Sequence, residues 1–179
     1  FTARLKAGVE TLVVGDPLDP ETDVSALISE SERDRVKTWV DEAVAQGGEI
    51  VTGGRLDDNG VLMPTIIGNA KPEMQVCIKE VFGPVVAIQS VDSVDEGLKL
   101  ANDTAYGLQA AIFTRDLSTA FEAVHTLDFG GVLVNEVPTW RADQMPYGGI
   151  RDSGNTREGP AYSVREMTET RLVLIETAR

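Results

Sequence analysis

The chain has 179 residues, 42% of them hydrophobic, which is enough for a packed core and argues against intrinsic disorder. Its 16 basic and 29 acidic residues give a formal charge of −13, which repels phosphate backbones and argues against a nucleic-acid partner. One histidine and one cysteine, Cys77, allow neither a Cys/His metal cluster nor an internal disulfide, and a lone thiol fits a reducing compartment, here the cytoplasm.

No apolar run approaches the roughly 20 residues of a membrane span. The length fits one domain, residues 1–170, followed by a terminal strand in residues 171–179. The opening Phe1-Thr-Ala-Arg-Leu5 has no initiator Met, which suggests a processed or truncated product.

Phe1, Leu5 and Val9 recur every four residues and predict the end of an amphipathic helix. Leu12-Val-Val14 reads as a short buried strand, and Gly15-Asp-Pro-Leu-Asp-Pro20 as a surface turn. Ser29 with Glu32 forms a capping-box pattern. The helix behind it would turn Val36, Trp39, Val40, Ala43 and Val44 inward and stop at Gly47-Gly48. Strands are predicted at Glu49–Val51, at Val61–Ile67 and at Pro84–Gln89. Pro64 marks the second as an edge or a bulge, and the unbroken apolar run marks the third as part of a covered sheet.

A second capping box, Ser93 with Glu96, opens a helix with Val94, Leu98 and Ala101 inward. Ala110–Phe113 is a strand. Asp116 caps a third helix, with Leu117, Ala120, Val124 and Leu127 inward, and Gly130-Gly131 stops it ahead of the strand Val132–Val134. Strands alternating with helices predict an α/β fold with a largely parallel sheet and flanking helices. From Asn135 to Gly159 the periodicity vanishes, and the aromatic and proline content of that run points to a functional loop. Pro160 opens a helix through Met167. Arg171–Glu176 is a strand without a local partner, suited to pairing with another chain.

The chain is organised around Glu80-Val-Phe-Gly-Pro84. In an extended chain residues two apart share a face, so Glu80 and Phe82 would meet one ligand together, the acid taking hydroxyl hydrogen bonds and the ring covering a flat apolar surface. Gly83 permits close approach, and Pro84 keeps the residue before it extended. The apolar neighbours of Cys77, Val76 and Ile78, offer nothing to lower its pKa, so it is read as a packing residue. His125, near a helix end, is given no catalytic role.

An ordered series of motifs resembles the aldehyde dehydrogenase superfamily. It runs through Gly15-Asp-Pro-Leu-Asp-Pro-Glu-Thr-Asp23, Gly53-Gly54, Pro64-Thr65, Glu80-Val-Phe-Gly-Pro-Val85, Asn102-Asp-Thr-Ala-Tyr-Gly-Leu108, Phe113-Thr114, Gly131-Val-Leu-Val-Asn135, Pro146-Tyr-Gly-Gly149, Ser153-Gly154 and Arg157-Glu-Gly159. The resemblance implies the C-terminal part of that family's catalytic domain, acting on an aldehyde with NAD or NADP. By the same resemblance the nucleophilic cysteine and the dinucleotide fold lie elsewhere in the parent, so no residue here is catalytic and the isolated chain should be inactive.

Glu80 matches the acid on the nicotinamide-ribose hydroxyls, Phe82 the aromatic beside the nicotinamide, and Tyr147 a position at the substrate channel. The run Pro138-Thr-Trp-Arg-Ala-Asp143 is similar to that of the lactaldehyde and phosphorylated-aldehyde branch, whose substrates often carry an anion. Arg141, with Trp140 beside it, suits such an anion, although a surface pairing of Arg141 with Asp143 or another acid is the competing reading. The terminal strand implies a homo-oligomer. A different class of function, a non-catalytic assembly module with the same fold, stays open, as does an acyl transferase using Cys77.

Overall fold

The computed structural model describes residues 1–177, and the last two residues lie outside the described part. The chain divides after Val91 into two compact units. In the first, helix α1 (Thr2–Val9) precedes an irregular stretch that pairs only as a single parallel bridge between Val14 and Val24. The buried strand expected at Leu12–Val14 is not formed. Leu12 and Val13 are exposed, because one bridge provides no ladder to cover them.

Helix α2 (Glu30–Ala45) begins where its capping residue predicts. Ser29 Oγ accepts from the Glu32 N–H at 3.2 Å, which satisfies one orphan donor of the first turn. It ends in a Schellman motif. Gly47 takes φ 100°, and the Gly48 and Gly47 N–H groups donate to Ala43 O at 2.8 Å and Val44 O at 3.0 Å. Val36, Val40 and Ala43 are buried as expected, but Val44 lies outside the covered stripe and is exposed.

Strands β1 (Glu49–Thr52), β2 (Thr65–Gly68) and β3 (Val85–Ala87) form a sheet in that order. β1–β2 is antiparallel with a register shift between Ile50 and Thr52, and β2–β3 is parallel. The strand predicted from Val61 starts only at Thr65. Pro64 ends the irregular part rather than marking an edge, since β2 is central and buried along its whole length. β1 and β3, not β2, are the edges, and Val86 of β3 is half exposed. Val40 and Ala43 of α2 pack with Ile67, Ala70, Met74 and Val76, the last from the single-turn helix α3 (Gln75–Ile78).

The second unit holds helix α4 (Val94–Asn102), β4 (Gln109–Ile112), helix α5 (Leu117–Thr126) and β5 (Gly131–Val134). β4 and β5 are parallel, with Gln109 opposite Gly131. Both helices carry the caps their sequences predict, Ser93 Oγ on the Glu96 N–H at 3.1 Å and Asp116 Oδ2 on the Thr119 N–H at 2.7 Å. That capping, with the Thr119 hydroxyl first among its donors, holds the Asp116 carboxyl below its ordinary range.

The buried faces are narrower than the hydrophobic stripes suggest. Leu98, Ala123 and Leu127 form the core with Ala110, Ile112, Phe129 and Val132, while Val94, Ala101, Leu117 and Val124 face outward. A 3-10 turn (Arg151–Ser153) and helix α6 (Pro160–Glu166) follow. Arg171–Glu176 forms no strand. A ladder needs a second strand, and the run pairs with nothing among the described residues, leaving Leu172 and Leu174 each more than 90% exposed. The α/β class and the predominance of parallel pairing agree with the sequence reading.

Candidate functional site

The corner at residues 80–84 is clamped from both ends. Arg35, on the side of α2, donates Nη2 to the Val81 carbonyl at 2.9 Å. Its guanidinium is held in turn by Glu32 Oε2, 2.8 Å from Nε, and lies 4.4 Å over the Trp39 ring. At the other end the Thr65 N–H of β2 donates to the Pro84 carbonyl at 2.8 Å, and the Val85 N–H to Gly83 O at 2.8 Å. Gly83 sits against α2, where an added Cβ would come within 3.2 Å of Val36 Cγ1.

Between these clamps Phe82 takes φ 50° and is 73% exposed. The extended alternation expected for Glu80 and Phe82 therefore does not run through Phe82. The left-handed region costs a non-glycine residue about 1–2 kcal/mol, and the clamps hold it there. Glu80 is exposed, and its carboxylate has no hydrogen bond or ion pair among the described residues. Arg35 escaped the sequence reading, although its spacing was visible: Glu32, Arg35 and Trp39 lie three and four apart on one helix face.

The run from Asn135 to Gly159 is ordered by contacts to its own unit. Asn135, at φ 59°, reads both backbone groups of Thr114, accepting at Oδ1 from the N–H (2.9 Å) and donating from Nδ2 to the carbonyl (3.0 Å). Arg151 gathers the carbonyls of Asn102, Thr104 and Asp128 and lies over the Phe129 ring. Gly107 binds Ser153 Oγ through its N–H at 3.0 Å, while its carbonyl accepts from Gly130 and Ile150.

Within this frame Arg141 pairs with Glu158, Nη2 to Oε2 at 2.9 Å, and its guanidinium stacks 4.4 Å from the Tyr147 ring centroid. The structure thus brings Arg141 and Tyr147 together and supplies the acid as Glu158 rather than Asp143. Trp140 is half exposed and is engaged through its backbone, its N–H donating to Val137 O at 3.0 Å and its carbonyl accepting from Gln109. Where β4 and β5 end, Phe113, Thr114, Arg115 and Asn135 line a shallow depression of about 430 Å³, which the sequence did not signal.

Cys77, in α3, is half-buried. Burial pushes its thiol up from the ordinary range, Glu73 adds to the rise, and the Gln89 amide, 3.5 Å from Sγ, opposes it. A raised thiol pKa disfavours the nucleophilic thiolate, in line with the packing reading. His125 Nδ1 is 2.7 Å from the Phe121 carbonyl, one turn back on its own helix. No group of His, Cys, Asp and Glu among the described residues is placed to hold a metal ion. No helix among them is long and apolar enough to cross a membrane.

The chain belongs to the aldehyde dehydrogenase family, whose model matches residues 1–173. It is similar to the 3-sulfolactaldehyde dehydrogenase of Priestia aryabhattai, 46% identical over 98% of this chain and 36% of that protein. It is similar to the lactaldehyde dehydrogenase of Methanococcus maripaludis strain C7, 39% identical over 98% of this chain and 37% of that protein. Among solved structures it matches a glyceraldehyde-3-phosphate dehydrogenase of Methanocaldococcus jannaschii complexed with NADP, with TM-score 0.87 and 37% identity over 92% of this chain and 36% of that one. The chain therefore spans a little over a third of the length of the curated relatives it matches.

Proposed function

We propose that this chain is the cofactor-facing and substrate-facing C-terminal part of an NAD(P)-dependent aldehyde dehydrogenase that oxidises an aldehyde to a carboxylic acid. The observation that carries the reading is the corner at Glu80–Pro84. A carboxylate without an internal partner and an uncovered, left-handed phenylalanine are held on a backbone fixed by Arg35 and Thr65. These groups fit a dinucleotide. Glu80 accepts hydrogen bonds from ribose hydroxyls, and Phe82 covers one face of the nicotinamide. Bound there, NAD(P) supplies the hydride acceptor.

Arg141 anchors an anionic end of the substrate, with Trp140 and Tyr147 as walls. Glu158 occupies Nη2 and leaves other guanidinium donors available. The relatives' names include both sulfonated and neutral aldehydes, so the anion remains part of the proposal.

The test is dinucleotide reduction followed at equal protein concentration. The full-length enzyme is expected to reduce NAD or NADP with lactaldehyde or 3-sulfolactaldehyde, and the 179-residue chain alone to give nothing above blank. Glu80→Gln in the full-length enzyme loses charge-assisted bonds of about 1–2 kcal/mol, a roughly 10-fold loss in cofactor KM or kcat. Unchanged cofactor KM and kcat would make Glu80 a loop residue only. Turnover by the isolated chain that Cys77→Ser removes would instead favour chemistry at Cys77.

The exposed apolar run Leu172–Ile175 favours pairing of residues 171–176 with another chain, in the cytoplasmic homo-oligomer that the reading implies. Deleting residues from Arg171 onward in the full-length protein is expected to lower its mass in light scattering. An unaltered mass removes the segment from the interface.

A further inference from the structure

Gln109 opens β4 directly opposite Gly131 of β5. Its Nε2 reaches out of the sheet to two main-chain carbonyls of the irregular loop, Pro138 O at 2.7 Å and Trp140 O at 3.4 Å. The amide nitrogen thereby spans the carbonyls of the 138–139 and 140–141 peptide units. The other end of the amide, Oε1, is buried and has no hydrogen-bond partner among the described residues. Reversing the amide would set an acceptor against two carbonyls, so the orientation follows from the chemistry. The space for it exists because its neighbour has no side chain: a Cβ on Gly131 would lie 2.8 Å from Oε1. A buried acceptor left unpaired is a cost the fold carries, and what stands against it is the hold on two loop carbonyls.

The residue after Trp140 is Arg141, whose guanidinium is fixed from the far side by Glu158 and Tyr147. We propose that Gln109 is a positioning residue for the substrate loop, setting the backbone from which Arg141 meets the anionic group of its substrate. The inference rests on the reading of Arg141 as an anion anchor. Gln109 touches no substrate itself. It acts by pinning the carbonyls at residues 138 and 140, so that the side chain at residue 141 leaves the loop from a fixed point and in a fixed direction.

The test uses the full-length enzyme with two variants. Gln109→Met keeps the length of the side chain and removes both the donors and the buried acceptor. Gly131→Ala leaves Gln109 in place and pushes its amide aside. Two readouts are taken: the rate of trypsin cleavage after Arg141, followed by mass spectrometry, and KM for 3-sulfolactaldehyde against lactaldehyde, which differ by the sulfonate. Both variants are expected to speed cleavage after Arg141 by about 10-fold, and to raise KM for the sulfonated aldehyde about 5- to 10-fold more than for lactaldehyde.

Unchanged cleavage in both variants overturns the inference, as does an equal rise in KM for the two aldehydes when Arg141→Ala, assayed alongside, does discriminate between them. If Arg141→Ala fails to discriminate, the anchor reading fails and takes the specificity role of Gln109 with it, even where cleavage is faster.

Discussion

Gly130→Ala is expected to destabilise the second unit by about 3 kcal/mol or more, among the larger effects a single methyl can have. A Cβ on Gly130 would lie 1.7 Å from the Gly148 carbonyl oxygen, 2.8 Å from its carbonyl carbon and 3.1 Å from Gly149 Cα. All three are backbone atoms, so no side-chain rotation relieves the contact. Neither partner has room to retreat. The Gly130 N–H donates to Gly107 O at 2.9 Å and the next N–H, of Gly131, to Leu108 O at 3.0 Å, which ties the turn to the segment leading into β4. Gly148 is backed by Thr156, whose carbonyl oxygen would be 2.2 Å from a Cβ there.

The methyl therefore has to part the end of α5 from the loop, and the loop carries Tyr147 and Arg141. Urea unfolding of the full-length protein reads the effect. Gly8→Ala is the matched control, because a Cβ on that helical glycine meets nothing within 4 Å. It should be neutral or stabilise by roughly 0.5–1 kcal/mol through helix propensity. A Gly130→Ala protein as stable as the wild type would show that the two backbone segments do not meet as closely as the structure places them.

The close approach at Gly130 illustrates which parts of the chain were legible from sequence. The caps at Ser29, Ser93 and Asp116 and the stop at Gly47-Gly48 are local, their partners lying within a turn, and the structure forms them, although neither capping box closes: Glu32 turns to Arg35 and Glu96 to the Asp92 N–H. Gly130-Gly131 was legible as a helix stop, but not as a surface on which another loop rests. Hydrophobic stripes named the helices but misjudged which side is covered. α5 turns Ala123 and Leu127 inward and leaves Leu117 and Val124 exposed, since the choice belongs to the element that packs there.

The candidate site was assigned through motifs, Glu80, Phe82, Arg141 and Tyr147 by resemblance. The means of holding it were not. Arg35, Gln109 and Arg151 bind backbone carbonyls 23 to 49 residues away. Every residue has a carbonyl, so no side-chain pattern announces that kind of partner. The left-handed conformation of Phe82 was equally hidden, because composition points to glycine or asparagine for that region and the clamps impose it on an aromatic residue.

Arg141→Ala in the full-length enzyme is expected to raise KM for anionic aldehydes by about 10- to 100-fold, the loss of one charge-assisted contact of about 1.5–3 kcal/mol. The pair with Glu158 bears on this figure in two ways. Both side chains are substantially exposed, 43% and 60%, so the pair itself contributes little to stability. Removing Arg141 therefore leaves Glu158 in water rather than as a stranded buried charge, and the fold should survive the change. Glu158 also offsets part of the positive charge, so a substrate anion meets a guanidinium already committed at Nη2. That argues for the lower half of the range when the anion is a carboxylate and the upper half for a sulfonate or phosphate, whose additional oxygens engage the remaining donors.

Stacking on Tyr147 at 4.4 Å keeps the guanidinium plane fixed, which Arg141→Lys cannot reproduce. The lysine variant should therefore fall between wild type and alanine. The measurement is KM and kcat for 3-sulfolactaldehyde and lactaldehyde with all three proteins. A selective rise for the sulfonated substrate, graded alanine over lysine, identifies the anchor. Equal losses for the two aldehydes would sink it and leave Arg141 as the loop's tie to Glu158.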